Sequence, residues 1–293
     1  MTATARIETA LEGAFARFDG SLCPPQLRAA VRYAVFPGGA RVRPRLCLSV
    51  GRACAEDAPA LTDAAATAVE LLHCASLVHD DLPCFDDAAM RRGKPSVHRA
   101  YDERTAVLTG DALIVMAFQV LAEAAPLGMD RLAPLVACLG RGVGLPGGIV
   151  AGQAWECEPA GSAAVDRGVY HRAKTGALFV AATSAGAIAA GQDGAPWRRL
   201  GQRIGEAFQV ADDLHDAAGN SESLGKPTGQ DVALDRPSAV RELGIKGAVD
   251  YLNGLLREAV DSIPPCPGAG ELRAELLAEG RRFLPKGLTL EAA

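Results

Sequence analysis

The sequence has no surplus of positive charge: 30 Lys and Arg stand against 35 Asp and Glu, a formal net charge of -5 over 293 residues. Without a global basic field, generic nucleic-acid binding has no electrostatic support, and any anionic ligand must be held by a local cluster of Lys and Arg. Cysteine pairing is missing as well. Cys23, Cys47, Cys54, Cys74, Cys84, Cys138, Cys157 and Cys266 are scattered, with no C-x-x-C pair and no His at zinc-finger spacing, which reads as unpaired thiols in a reducing cytoplasm. The first twenty residues carry Arg6, Glu8, Glu12, Arg17 and Asp19 instead of an apolar core, so no signal peptide is expected. No run of large aliphatics suggests a membrane span; the longest weakly polar stretch, Gly176 to Gly191, is mostly Ala, Gly, Ser and Thr and reads as a tightly packed internal helix. Aromatics make up only 5%, but with 49% hydrophobic and 22% charged residues the composition excludes disorder and suits a folded soluble protein.

Strand signals are also almost absent, because long windows repeat apolar residues at spacings of three and four. The clearest are Thr62 to Asp80, Thr105 to Ala125, Asp166 to Ala190, Trp197 to Asp213, Val249 to Ile263 and Glu271 to Leu284. Short Gly/Pro punctuation separates them, at Phe36-Pro37-Gly38-Gly39, Gly144 to Gly148, Gly191 to Pro196, Gly219 to Gly229 and Pro264 to Gly270. None is long enough to link domains. The pattern predicts one all-α domain over residues 1–293, with about ten or more helices and no solenoid repeat.

What the sequence does have is acid. His79-Asp80-Asp81-Leu82-Pro83-Cys84-Phe85-Asp86-Asp87 puts four carboxylates within eight residues at the end of an apolar helix, where the macrodipole favours cations. Such a cluster needs a compensating charge, and a hard divalent ion that keeps open positions for phosphate oxygens points to Mg²⁺. A second cluster, Asp212-Asp213-Leu214-His215-Asp216, also ends a long apolar helix, with Asp212 and Asp216 sharing a face. Two such helix ends can close on one metal cluster. Cations come in matching places: Arg91, Arg92 and Lys94 after the first cluster, Arg41 and Arg43 in the glycine turn, and Lys174, Lys226 and Arg236 near or beyond the second. A metal-held diphosphate needs Lys and Arg on its remaining oxygens.

These motifs together resemble the trans-isoprenyl diphosphate synthase, or polyprenyl synthetase, family, above all bacterial geranylgeranyl and farnesyl diphosphate synthases of the carotenoid pathway. Asp80-Asp81 with Asp86 matches the first Asp-rich motif in its longer form, followed by Arg91-Arg92-Gly93-Lys94-Pro95; Phe208-Gln209 and Asp212-Asp213-x-x-Asp216 match the second. Gly152-Gln153, Lys174-Thr175-Gly176, Gly225-Lys226 and Gly229-x-Asp231 also fall where the family has them. The resemblance implies a helical bundle around a central pocket, a homodimer, and Mg²⁺-dependent extension of an allylic diphosphate by isopentenyl diphosphate. It implies metal ligands among Asp80, Asp81, Asp86, Asp212, Asp213 and Asp216. Arg91, Lys174 and Lys226 are expected on the allylic diphosphate, with Arg236 in place of a further lysine. Arg43, His73 and Arg92 are expected on isopentenyl diphosphate, while Thr175 and Gln209 turn oxygens toward the allylic cation. The glycine turn departs from the family: Gly38-Gly39-Ala40-Arg41-Val42-Arg43-Pro44 has alanine where lysine is usual, so isopentenyl diphosphate binding is expected to shift toward Arg41. The G-Q-x-x-D segment likewise reads Gly152-Gln153-Ala154-Trp155-Glu156.

Product length follows from the helix before Asp80. By the resemblance the growing tail runs down beside it, and a rise of about 1.5 Å per residue puts Ala75 roughly 7.5 Å and Leu72 roughly 12 Å below Asp80. Family members that stop at farnesyl usually have an aromatic at position 75 or 76; here Ala75 and Ser76 are small. The expected product is geranylgeranyl diphosphate, with Leu72 or Phe118 as the floor. A metal-dependent phosphohydrolase is disfavoured because His98, His171 and His215 form no ligand-spaced set with His79. A class I terpene cyclase would carry an N-D-x-x-S-x-x-x-E pattern in place of the second Asp cluster. Intact acidic motifs argue against a non-catalytic partner subunit, and Ala40 is the one feature in its favour.

Overall fold

The computed structural model describes residues 2–17, 22–36, 38–158, 167–217, 238–280 and 283–284. Among them the helices are α1 (Ala3–Ala16), α2 (Pro25–Val35), α3 (Val42–Ala53), α4 (Pro59–Asp80), α5 (Val97–Ala100), α6 (Glu103–Ala124) and α7 (Met129–Val143), then α8 (Ile149–Glu156), α9 (Arg167–His171), α10 (Ala177–Ala189), α11 (Arg198–Ala217), α12 (Ala239–Asp261) and α13 (Ala269–Gly280). One short hairpin stands apart, β1 (Met90–Arg91) antiparallel to β2 (Lys94–Pro95).

α4 starts at Pro59, which needs no helical N–H partner at that position, and is buried nearly all round, from Leu61 to Val78. It is the central helix. α6 packs against it in the opposite direction, as two contacts show: His79 lies against Gly110, and Leu61 lies against Gly128, just past the end of α6. Two hydrophobic clusters build the core, one drawing on α1, α2, α4, α6 and α7, the other on α11, α12 and α13. α3 and α10 join them: Leu48 and Leu178 belong to the first cluster, Val50 and Phe179 to the second.

The periodic windows place the long helices well, with differences that have physical causes. The window from Asp166 to Ala190 is interrupted by a π-helical turn at Arg172–Gly176. The window from Val249 begins ten residues earlier, at Ala239, because Gly244 sits at φ 70 and breaks the periodicity inside the segment. The hairpin has no alternating pattern to betray it; its turn residues Arg92 and Gly93 both take positive φ. All eight cysteines are free thiols. Among the described residues two helical segments, α4 and Glu103–Leu127 (α6 with the turn after it), are long and apolar enough to cross a membrane, and 78% and 44% of their most apolar windows are buried inside the protein. On α6, Leu108 and Val115, seven residues apart on one face, are 54% and 56% exposed.

Candidate active site

The end of α4, the loop after it, α8, the π turn, α10 and α11 enclose a cavity of about 970 Å³. Asp80, Asp86, Asp212 and Asp216 line it together with Arg43, His73, Arg91, Lys174, Thr175 and Gln209. Farther along α4 and its neighbours the lining turns apolar, with Leu72, Ala75, Ile114, Val143 and Leu178.

Close helix crossings put these side chains together. A Cβ on Gly152 would lie 2.4 Å from both N and Cα of Lys174, so α8 touches the π turn backbone to backbone. One turn further on, Glu156 meets Lys174 Nζ and the Tyr170 hydroxyl. Wide turns of this kind are frequent at functional sites because they displace side chains from the regular helical face. On α11, Gly201 and Gly205 sit against the Cα atoms of Val180 and Gly176. That approach sets Thr175 beside Gln209, and the Thr175 hydroxyl donates to Gln209 Oε1 at 3.1 Å.

The carboxylates of Asp80, Asp86 and Glu156 offer oxygens within 4.8 Å of one another, the one such group of three among the described residues. Asp80 Oδ1 is buried without a hydrogen-bond partner, and Lys174 Nζ stands 3.6 Å from it. Burial, opposed by Lys174 and reinforced by Asp86, holds the Asp80 carboxyl above its usual range. An unsatisfied buried oxygen among three acids fits a hard divalent cation. Glu156 is the member not expected as a site residue; its signal is the G-Q-x-x-D register, where glutamate keeps the carboxylate.

Arg43 reaches the cavity from α3. Its guanidinium lies 4.3 Å from the Phe179 ring centroid and 5.4 Å from that of Phe208, while its buried Nε has no partner. Burial lowers its pKa to about 10, a deficit that an anionic ligand would relieve. His73 Nε2 is 3.4 Å from Arg43 Nη1. Burial, then Arg43 and Arg92, push the imidazole well below its usual value, so the ring is neutral.

Several expected residues turn out to serve other purposes. Asp81 is 2% exposed and accepts a forked pair from Arg91, Nε at 2.9 Å and Nη2 at 2.5 Å, so it orients Arg91 from behind the cavity. Asp213 accepts from Gln209 Nε2 at 3.1 Å and from the Ala239 N–H, the first residue of α12, at 2.7 Å. It caps a helix and fixes the Gln209 amide. Arg41 does not replace the missing lysine: only 3% exposed, it is enclosed by Glu8, Glu70 and the Val35 carbonyl. Burial works against its charge, but the two glutamates outweigh it and raise its pKa. Arg92 stands behind the lining, with Nη2 3.7 Å from Glu70. Phe118 packs against the core cluster outside the cavity wall, and Ile114, one turn nearer the acids, lines it instead. Lys226, Arg236 and the Gly219–Gly229 segment lie outside the described residues.

A larger cavity of about 1180 Å³ lies on the other side of the π turn, between α7, α10 and α11. None of Asp80, Asp86 and Asp212 lines it, so the smaller cavity is the candidate active site.

Residues 24–262 match the polyprenyl synthetase family. The chain belongs to that family. Among curated polyprenyl synthetases it is 57% identical to the geranylgeranyl diphosphate synthase of Cereibacter sphaeroides, covering 98% of this chain and 97% of that one. It is 55% identical to the enzyme of the same name from Rhodobacter capsulatus, covering 93% of each. Among solved structures, the geranyltransferase from Legionella pneumophila superposes with a TM-score of 0.79 at 30% identity, covering 96% of this chain and 93% of that chain. The Helicobacter pylori geranyltransferase complexed with magnesium and isoprenyl diphosphate gives 0.78 at 30% identity, covering 95% and 97%. As a polyprenyl synthetase the chain is a trans-prenyltransferase, an enzyme acting on isoprenyl diphosphates, and the family uses a divalent metal.

Proposed function

We propose that this enzyme condenses isopentenyl diphosphate head-to-tail with dimethylallyl, geranyl and farnesyl diphosphates, releases diphosphate at each step, and stops at geranylgeranyl diphosphate. The observation that carries the reading is one cavity with acids and cations at its mouth and Ala75, Ser76 and Leu72 along its wall. Small residues at 75 and 76 leave room for a tail longer than farnesyl. The two relatives at 57% and 55% identity are named for the same product.

Asp80, Asp86 and Asp212, with Asp216 and Glu156, would hold Mg²⁺, which when bound would neutralise the charge that develops on the leaving diphosphate. Lys174 and Arg91 take the outer diphosphate oxygens, and Arg91 is held in place for this by Asp81. Arg43 and neutral His73 bind isopentenyl diphosphate, with Arg92 behind them. Thr175 and Gln209 direct their oxygens at the allylic carbon, where positive charge appears, and Asp213 keeps the Gln209 amide from flipping. The departing diphosphate accepts the final proton. The whole chain works as one catalytic domain, in the cytoplasm and as a homodimer, and the Leu108 and Val115 face of α6 is the part of the surface suited to the partner copy.

Purified protein incubated with isopentenyl diphosphate, each allylic starter and Mg²⁺ should yield the twenty-carbon product. Asp80→Ala and Asp212→Ala should abolish turnover with an unchanged circular dichroism spectrum. A fifteen-carbon main product from wild type would overturn the assignment of product, and an active Asp80→Ala the assignment of the metal site.

A further inference from the structure

Glu70 is a charge the proposed reaction does not use. It lies on α4 ten residues before Asp80 and is 1% exposed, roughly 15 Å from the acids at the helix end. A carboxylate is rarely buried this deeply without partners, and here the partners are arginines. Oε1 accepts from Arg41 Nη1 at 2.6 Å and stands 3.7 Å from Arg92 Nη2, with the Cys74 thiol at 3.7 Å. Arg43 feels the same charge, with Arg92 opposing it.

The glycine turn is shaped around this group. A Cβ on Gly38 would fall 2.0 Å from Arg41 Cζ, and one on Gly39 would fall 3.1 Å from Arg92 Nε. Neither glycine is needed for a positive φ; Gly38 leaves the space through which Arg41 passes, and Gly39 lies close against Arg92. The left-handed backbone of Arg41, φ 52, folds its side chain back beneath the turn, and Arg92, φ 54, comes over it from the hairpin. Glu8 of α1 closes the outer side of Arg41 at 2.8 Å. Two carboxylates therefore satisfy Arg41, and the same Glu70 Oε1 also faces Arg92 at ion-pair distance.

We propose that Glu70 is a positioning residue for the isopentenyl diphosphate subsite: it anchors Arg92 behind Arg43 so that two positive charges bear on one diphosphate in a turn that has lost its usual lysine at Ala40. The proposal rests on the function given above. Glu70 touches no substrate; it acts through Arg92, and through the repulsion it screens between Arg92 and Arg43.

Calorimetric titration of isopentenyl diphosphate into the full chain, alongside steady-state kinetics, tests this. Glu70→Gln should weaken isopentenyl diphosphate binding by about tenfold or more, leave KM for farnesyl diphosphate within about threefold and change kcat less than the isopentenyl KM. Glu8→Gln, which alters only the outer contact to Arg41, should bind as wild type does. Because Glu70→Gln leaves Arg41 short of a partner, Glu70→Gln combined with Arg41→Met removes both charges and separates the two roles. If Glu70 served only to neutralise Arg41, the double variant would recover wild-type binding; under the proposal its binding stays weak while its thermal stability recovers. Wild-type binding by Glu70→Gln or by the double variant overturns the proposal, as does a double variant that does not fold, since Glu70 would then serve the core alone. Wild-type protein that binds isopentenyl diphosphate but forms no product overturns the function instead and leaves the Glu70 comparison readable by calorimetry.

Discussion

Replacing Ala75 by tyrosine should shorten the main product by one isoprene unit, from geranylgeranyl to farnesyl diphosphate. Ala75 is 1% exposed and lines the cavity with Ile114 and Leu178. His79 meets Gly110 where α4 and α6 cross; four residues along each antiparallel helix, Ala75 and Ile114 sit at one level, roughly 6 Å further from the acids. A tyrosine ring there occupies the space the fourth isoprene unit would take. Forcing both into the same volume costs about 1–3 kcal/mol by the usual overpacking penalty, which is roughly a 5- to 160-fold shift in the partition at the last step. Each buried methylene lost by the excluded unit removes about 0.8 kcal/mol more. The assay uses labelled isopentenyl diphosphate with geranyl and with farnesyl diphosphate as starters, and resolves chain length after dephosphorylation. Geranyl diphosphate should still be consumed at a rate within about threefold of wild type, because no diphosphate ligand has moved. A folded, active Ala75→Tyr that still makes mainly the twenty-carbon product would show that this face of α4 does not bound the tail, and the reasoning from cavity lining would fail with it.

His73 predicts a pH effect of definite sign. Its folded pKa lies well below 6.5, so as pH falls through 6.5 the unfolded chain takes up a proton the native state refuses, and stability present at neutral pH is lost. Chemical denaturation from about pH 7.5 to about 5.5 should show wild type losing more stability than His73→Gln, by up to about 1.4 kcal/mol per unit below the unfolded value; parallel curves would mean His73 protonates freely in the fold. Asp213→Ala should cost about 1 kcal/mol as a lost cap on α12 and, by freeing the Gln209 amide, lower kcat by about tenfold with little change in either KM. A variant that loses stability but keeps kcat would leave Asp213 with its capping role only.

Most of the framework was legible because apolar residues at helical spacing mark α4, α6, α10 and α11, and because two acid clusters at helix ends have few structural uses. The motifs of the family resemblance point to Asp80, Asp86, Asp212, Lys174 and Gln209, and all five line one cavity. Direction was not legible. Asp81 and Asp213 each adjoin a cavity-facing aspartate, yet successive residues on a helix point about 100° apart, so one of each pair turns to Arg91 or to α12. Arg41 and Arg43, two residues apart, separate for the same reason, helped by the left-handed backbone at Arg41. The π turn was hidden because no local spacing marks it, and the backbone it packs against, at Gly152, lies on another helix.

The glycines at these crossings have a consequence for engineering heat tolerance. Exchanging helical glycine for alanine usually gains up to about 1 kcal/mol, and Gly152, Gly186 and Gly201 all sit inside helices. Here the added methyl would meet main-chain atoms: Lys174 N and Cα at 2.4 Å, Cys47 O at 2.3 Å and Val180 Cα at 2.5 Å. Main chain cannot rotate out of the way as a side chain can. Stabilisation schemes that rank positions by helix propensity alone would choose the sites whose alteration pries the bundle apart around its reaction chamber; Gly140, interior to α7, has nothing within 4 Å and is the safer place to begin.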